Sequence, residues 1–480
     1  MTLPPSSSVA VALNANAADR LLQKIELSYG DPRDLKLYHR ELRLHTPKQL
    51  DKMAGAMRAF GFVDPVLVGR NNEVIDGSAR IAVAIKLGIK SIPQIVVGHL
   101  DDTEQRLLRL GLNRLQQLGE FNMKELRVEL LQLSTIDIAD SIELTGFDHV
   151  EIDNIISQPP AGPGEVDPAD ENVPQPPVDP VARRGDLWLL GRHRLLCGSA
   201  LDVGDWGRLM AGSTAIMCFA DIPFNVPISG HVSGTGRHVE FAMASGEMSE
   251  TEYIGFITQG LEVMIPHMAD GAIIDICIDW RHQYELLCAA RAVGLSLKNL
   301  CVWNKSNGGQ GSMYRSKHEL VLIFKNGNAQ HINNVMLGKY GRSRNNVWDY
   351  AGVNSFGKTR DEDLKAHPTV KPLALVADAI RDVSHRGQIV VDGFMGSGTT
   401  LLAAHRTGRI GYGIEIAPGY VDVAIQRWQK LAGAEAVLEE TGETYAQVKA
   451  RRAGETIVTA EPESDCRAEV QARPRRPLAA

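Results

Sequence analysis

Nowhere does the sequence carry a run of 18 apolar residues, and its opening, MTLPPSSSVAVALNANAADR, has no basic segment leading into an apolar core. Membrane insertion and secretion are therefore not expected. Cysteine is sparse: six residues, at 197, 218, 277, 288, 301 and 466, with no Cys-x-x-Cys pair and no Cys/His grouping at metal spacing. That pattern argues against a structural zinc and suits a reducing cytoplasm. Basic charge is not in excess either, since 51 Lys and Arg against 58 Asp and Glu leave a net charge of −7. Any nucleic-acid contact must then come from local basic patches, not from the field of the whole chain. No internal repeat is visible. What the sequence does have is 44% apolar content over 480 residues, enough for two or three domains with cores of their own.

Residues 1–30 are small, polar and Pro/Ser-containing, the composition of a loosely ordered leader. From 31 to 121 the pattern is that of a small α/β domain. A helix is expected over KQLDKMAGAMRAFG, strands over PVLVGR and EVIDG, a helix over SARIAVAIKLG, a strand over IPQIVVGHL and a helix over DDTEQRLLRLGLNRLQQL. Residues 122–157 read as short amphipathic helices. Residues 158–184, QPPAGPGEVDPADENVPQPPVDPVARR, are rich in Pro and acid and read as a linker. From 185 to 431 strands and helices alternate, which predicts a mostly parallel sheet with helices on both faces. Residues 432–480 give one helical stretch and a disordered tail.

Within the alternating region, RGQIVVDGFMGSGTTLLAAHRTGRIGYGIEI has the pattern of one βαβ unit. A buried strand, a tight Gly loop, a helix opening on Thr and a second strand follow one another. Such a loop brings backbone N–H groups and a helix N-terminus up to an anionic group of a ligand. Glu415 ends the second strand, where an acid accepts hydrogen bonds from ribose hydroxyls. FMGSG is not Gly-x-Gly-x-x-Gly, which weighs against a dehydrogenase. Further upstream, the apolar run STAIMCFA ends in Asp221-Ile222-Pro223-Phe224.

DGFMGSGTT followed by GIEI resembles the S-adenosylmethionine loop of the amino-methylating DNA methyltransferases. AHPTVKP (366–372) is similar to the element that precedes that loop in the β-class arrangement, and Asp221-Ile222-Pro223-Phe224 resembles its Asp-Pro-Pro-Phe/Tyr tetrapeptide. The resemblance runs from about Gly185 to Gln429, through GDLWLLGRHRLLCGSA and VWNKSNGGQGSMYRSKHELVLIFKNG. It implies a Rossmann-like fold and methyl transfer from S-adenosylmethionine, with no metal, to an exocyclic amine of double-stranded DNA. Adenine N6 is the expected target, with cytosine N4 as the alternative. It also implies that Asp392, Phe394, Gly396, Ser397, Gly398 and Thr399 line the cofactor, that Glu415 holds its ribose, and that Thr369 and Lys371 approach its methionine end. The location implied is cytoplasmic and nucleoid-associated, and a homodimer is compatible with the class.

Two positions depart from the family pattern: Ile222 and Gly393 stand where it has Pro. Losing the ring at 222 frees φ there, a loosening worth on the order of one to a few kcal/mol of transition-state stabilisation, while Pro223 still restrains residue 222. A rival reading is therefore a DNA-binding regulator that retains the fold without turnover. Candidates for DNA contact are Asn225, directly after the tetrapeptide, and the basic residues Arg315, Lys317, Lys339, Arg342 and Arg344. GVNSFGKT (352–359) matches a P-loop expression but lacks the strand before it and the helix after it. PVLVGRNNEVIDGSARIAVAIKLGIKSIPQIVV resembles the ParB/sulfiredoxin-like domain, with Gly77 and Arg80 at its helix turn. Ser78 in place of Cys excludes sulfiredoxin chemistry, and a structural or DNA-docking role is preferred for this domain.

Overall fold

The computed structural model describes residue 25 and residues 27–40, 42–135, 142, 144–156, 167–170, 173–225, 246–306, 308, 313–338, 343–352 and 370–454. Among these, no helix is long and apolar enough to cross a membrane.

The N-terminal unit is a four-stranded sheet of β1 (Leu27–Gly30), β2 (Val66–Val68), β3 (Val74–Asp76) and β4 (Ile92–Val96), in the order β1-β4-β2-β3. β1 lies inside the stretch expected to be a loose leader; it is held there by antiparallel pairing with β4. Helices Pro47–Phe60, Ser78–Lys86 and Asp102–Leu118 accompany the sheet. The last starts where the sequence says it should, because Asp101 and Glu104 form a reciprocal capping box. Val66, Val68, Val74, Ile81, Ala84 and Ile92 make this unit's core.

Two further helices, Met123–Thr135 and His149–Ile156, enclose a small core of Leu130, Ile142, Ile152 and Ile156. The second docks on the large domain through charge. Asp153 meets the fully buried Arg409 at 2.7 Å and Arg386 at 3.3 Å, and His149 stacks on His385.

The large domain is built on a ten-stranded sheet: β5 (Leu187–Leu190), β6 (His193–Cys197), β7 (Ala215–Asp221), β8 (Met268–Ile278), β9 (Ser296–Asn304), β10 (His318–Lys325), β11 (Val347–Asp349), β12 (Ile389–Asp392), β13 (Ile410–Glu415) and β14 (Val437–Leu438). Its order is β11-β9-β10-β8-β7-β12-β13-β6-β5-β14. The five central strands, β8-β7-β12-β13-β6, are mutually parallel, and antiparallel pairs extend both edges. Central strands such as β7, AIMCFAD, are buried nearly throughout, as expected when helices cover both faces. Two apolar cores lie against the sheet, one around Trp188, Leu401 and Trp428, the other around Trp206, Tyr253 and Leu286.

The sheet does not stop at residue 431. β14 pairs with β5 through Val437 opposite Leu189, and the helix Tyr445–Gly454 closes over it. At the other end, part of the Pro- and acid-rich stretch is packed. Asp170 is 1% exposed, and the backbone N–H groups of Val181 and Ala182 donate to Asp422 at 2.6 and 2.9 Å. A segment whose composition reads as a free linker is thus fastened to the domain by its own acids and amides.

Candidate functional site

β7 and β12 are neighbours in the sheet although their ends, Asp221 and Asp392, lie 171 positions apart in sequence (392 − 221). Strands added on one side of this pair run toward β8, and on the other toward β13, so a crevice opens beyond their carboxyl ends. That is where doubly wound sheets place ligands. The tetrapeptide and the glycine loop meet there.

On the loop side, Asp392 is 2% exposed and takes two hydrogen bonds, from Phe394 N at 2.9 Å and from Thr400 Oγ1 at 2.7 Å. Burial nevertheless pushes its pKa up to about 7, against those bonds. Glu415, at the end of β13, accepts from Gly396 N at 2.7 Å and Ala417 N at 2.8 Å, which fixes its carboxylate beside the loop; burial raises its pKa. Ser397 and Thr399 are buried, and both accept from Arg427 Nη1, at 3.0 and 3.2 Å from their hydroxyls. Gly398 has φ +88°, and a Cβ on it would come within 2.7 Å of Ala424 Cβ. Gly398→Ala is therefore expected to cost about 1–3 kcal/mol through overpacking and left-handed strain, read as a lowered urea midpoint with an unchanged m-value.

Gly393 has an equally concrete reason. A Cβ there would lie 3.1 Å from the Trp206 ring and 3.3 Å from Ala200, so the glycine makes room for the indole. Ile222, the other departure from the family pattern, is 6% exposed and lines the same small apolar cavity as Trp206, Gly393 and Phe394. The two departures thus line one cavity.

On the tetrapeptide side, Asp221 Oδ2 lies 2.6 Å from the ammonium of Lys371, which is 4% exposed. Glu319 Oε1 lies 2.7 Å from the same ammonium, and Glu319 Oε2 is 2.8 Å from Lys305. Sheet register creates this cluster: Asp221 pairs with Cys277, Cys277 with Val321, and Glu319 with Trp303. Asp221, Cys277 and Glu319 have ligand atoms within 4.8 Å of one another, and the cation set among them is Lys371. Burial raises the pKa of Asp221 to about 6; Lys371 works against that rise and Glu319 adds to it. Burial also opposes the charge of Glu319, but Lys371 and Lys305 outweigh it and hold that carboxyl below its ordinary range. Asp221 Oδ1 is buried and has no hydrogen-bond partner among the described residues. Phe224 is half-buried, with the Lys371 ammonium 5.3 Å from its ring centre, and the carbonyl of Pro223 is taken by Tyr253 OH at 2.7 Å.

The expected DNA-contact residues fare differently. Arg315 and Lys317 are exposed just before β10. Arg344 is not available for phosphate: it is ion-paired with Asp378 at 3.0 Å and Asp382 at 2.9 Å, and it donates to Tyr350 OH. Asn225, with φ +53°, is 7% exposed and ties the chain together, bonding Gly246 N, Met248 N and Met248 O. Both are structural here. Lys371 stands against the tetrapeptide carboxylate. Thr369, Lys339 and Arg342 lie outside the described residues, as do residues 226–245 and most of the GVNSFGKT stretch. Sequence reasoning missed Glu319, Lys305 and Arg427. The signal for Glu319 was an acid opening the apolar run ELVLIF, where a buried strand begins.

A doubly wound sheet with a glycine loop, acid-ended strands and an Asp-x-Pro-Phe turn at one switch point defines a Rossmann-like methyltransferase domain. The comparisons carry this to a family. The model of the DNA methylase family matches residues 216–426, and that of the ParB-methyltransferase HTH domain matches residues 124–184. The chain thus carries a DNA methylase domain of the N6/N4 family preceded by a ParB-methyltransferase HTH domain. The latter spans both the expected helical extension and the expected linker. Type II methyltransferase M.ScaI of Streptomyces caespitosus is 37% identical over 87 residues, 18% of this chain and 29% of that protein. Type II methyltransferase M.HpaI of Haemophilus parainfluenzae is 27% identical over 249 residues, 49% of this chain and 74% of that protein. Among solved structures, the PvuII DNA methyltransferase (cytosine-N4-specific) superposes with a TM-score of 0.39 at 16% identity, covering 55% of this chain and 94% of that one.

Proposed function

We propose that the protein transfers a methyl group from S-adenosylmethionine to the N6 amine of adenine at a short site in double-stranded DNA. The observation that carries this reading is the buried Oδ1 of Asp221, without a hydrogen-bond partner among the described residues, set beside Phe224 and one strand away from the glycine loop.

The residues present fit the cofactor. Glu415 and Asp392 put acceptors at adjacent strand ends where ribose hydroxyls and an ammonium need them, with the loop between. S-adenosylmethionine, when bound, supplies the methyl group on a sulfonium. The chain's own task is to make a poor nucleophile attack, since the lone pair of an exocyclic amine is delocalised into its ring. Asp221 Oδ1 accepts one amino proton, and the backbone carbonyl of Ile222 takes the other, the neighbouring carbonyl of Pro223 being engaged by Tyr253. Two such bonds favour the tetrahedral nitrogen. Phe224 stacks on the base, which must leave the duplex to reach the site. Arg315 and Lys317 contact backbone phosphates.

The test is incorporation of label from S-adenosylmethionine into unmethylated DNA, followed by mapping of the modified base. Wild-type protein should label the DNA, and Asp221→Ala should reduce the rate at least about 100-fold, the scale of a lost transition-state acceptor. Label on cytosine N4 would replace adenine as the target. No label with intact cofactor and DNA binding would support the silent regulator instead.

A further inference from the structure

Lys371 has two carboxylates within reach, and only one belongs to the tetrapeptide. We propose that Glu319 is a positioning residue for the transfer: it holds one side of the Lys371 ammonium, so that Asp221 keeps an oxygen free for the target amine. This rests on the function proposed above.

The geometry is a row of alternating charges. Asp221 Oδ2, Lys371 Nζ, Glu319 and Lys305 follow one another at 2.6, 2.7 and 2.8 Å, and Lys305 sits 4.5 Å from the centre of the Trp303 ring. Glu319 and Lys371 are 7% and 4% exposed in their side chains, so neither charge is shared with bulk water to any extent. An ammonium has three donors and no acceptor. With Glu319 charged, Lys371 divides between two carboxylates, and Asp221 Oδ1 has no hydrogen-bond partner among the described residues. With Glu319 neutral, the only anion left beside Lys371 in this row is Asp221. Lys371 then turns onto that carboxylate and competes with the incoming amine.

The groups facing Asp221 are Lys371, ahead of the helix Leu373–Val383; Glu319 on β10; Lys305, just after β9; Cys277 on β8; Asp392 on β12; and Tyr253 on the helix Glu250–Met264. Of these, Glu319 is the acid that pushes the Asp221 pKa upward most. Removing its charge therefore moves the acid limb of the pH–rate profile in a direction fixed in advance, toward lower pH. A residue that merely supports the fold has no reason to do so.

The experiment is steady-state methyl transfer by the full chain, with the pH profile of kcat, for wild type, Glu319→Gln and Glu319→Asp. Glu319→Gln is expected to lower kcat about 10- to 100-fold, leave KM for S-adenosylmethionine within about twofold, and shift the acid limb to lower pH. Glu319→Asp, which withdraws the carboxylate by one methylene, is expected to shift the limb the same way by a smaller step. It carries the test if the Gln variant does not fold. An unmoved acid limb in the soluble variants, or a KM raised in proportion to the loss, would overturn the proposal. A wild type that binds cofactor and DNA without turnover would overturn the underlying function itself.

Discussion

Lys371→Met is expected to abolish methyl transfer and to lower the unfolding free energy by about 3–5 kcal/mol, the cost of stripping a buried pair of one partner. The ammonium separates two buried carboxylates, Asp221 and Glu319, with ligand atoms no more than 4.8 Å apart. At that separation, two like charges repel by roughly 3–4 kcal/mol for an effective dielectric of about 20. Lys305 still pairs with Glu319 at 2.8 Å, so Asp221 is the group left uncompensated. It can escape only by binding a proton, which turns the needed acceptor into a competing donor. Stability and activity therefore fail for the same reason.

The sign of the pH dependence follows from that escape. Burial already raises Asp221 to about 6 with the lysine in place, and losing Lys371 raises it further. A carboxyl whose native pKa lies above its unfolded value contributes stability at low pH and loses it as pH rises through the native pKa. The deficit of Lys371→Met should thus be larger at pH 8 than at pH 5 when measured by urea unfolding. An equal deficit at both values would mean that the lysine acts through its packed stem and not through its charge.

How much of this was readable in the sequence depends on how local each feature is. Asp392, the glycines and Glu415 belong to one continuous strand-loop-helix-strand, and their spacing alone places them at strand ends. Asp221 was readable because an apolar strand ends there in a turn-forming Pro. Glu319 was not, since its partner Lys371 comes 52 residues later (371 − 319) and the two meet only through sheet register and the start of a helix. Arg344 shows the converse error. A basic cluster in sequence looks solvated, but Asp378 and Asp382, on the inner face of the helix Leu373–Val383, neutralise this member of it. Composition failed over residues 167–170 and 173–184, the described part of the expected linker, for a related reason. Pro and acid predict a free linker only if the acids find no cations to bury against, and Arg406 and Arg427 receive Asp167 and Asp170.

Asp170→Ala should accordingly behave as a change in the cofactor loop, although it lies over 220 residues from that loop in sequence. Its Oδ1 meets Arg427 Nη2 at 2.9 Å and its Oδ2 accepts from Leu373 N at 2.7 Å, at the start of the helix that follows Lys371 and Pro372. Arg427 in turn holds Ser397 O, Ser397 Oγ and Thr399 Oγ1 at 3.0, 3.0 and 3.2 Å. One carboxylate thereby sets the loop and the approach of Lys371 together. Removing it leaves a guanidinium 3% exposed without its anion, at a cost of about 3–5 kcal/mol. To relieve that cost Arg427 must turn outward and release Ser397 and Thr399. Titration calorimetry with S-adenosylmethionine should show affinity reduced at least tenfold, with Asp170→Asn falling between, because it keeps an acceptor for Leu373 N and loses the charge. The same deficit is expected of the methyltransferase domain cut at residue 185, which has every loop residue but not Asp170. Full affinity in the cut domain would mean that Arg427 holds the loop without its anion, and that the contacts of this segment with the large domain, such as Val181 and Ala182 on Asp422, do not reach the cofactor loop.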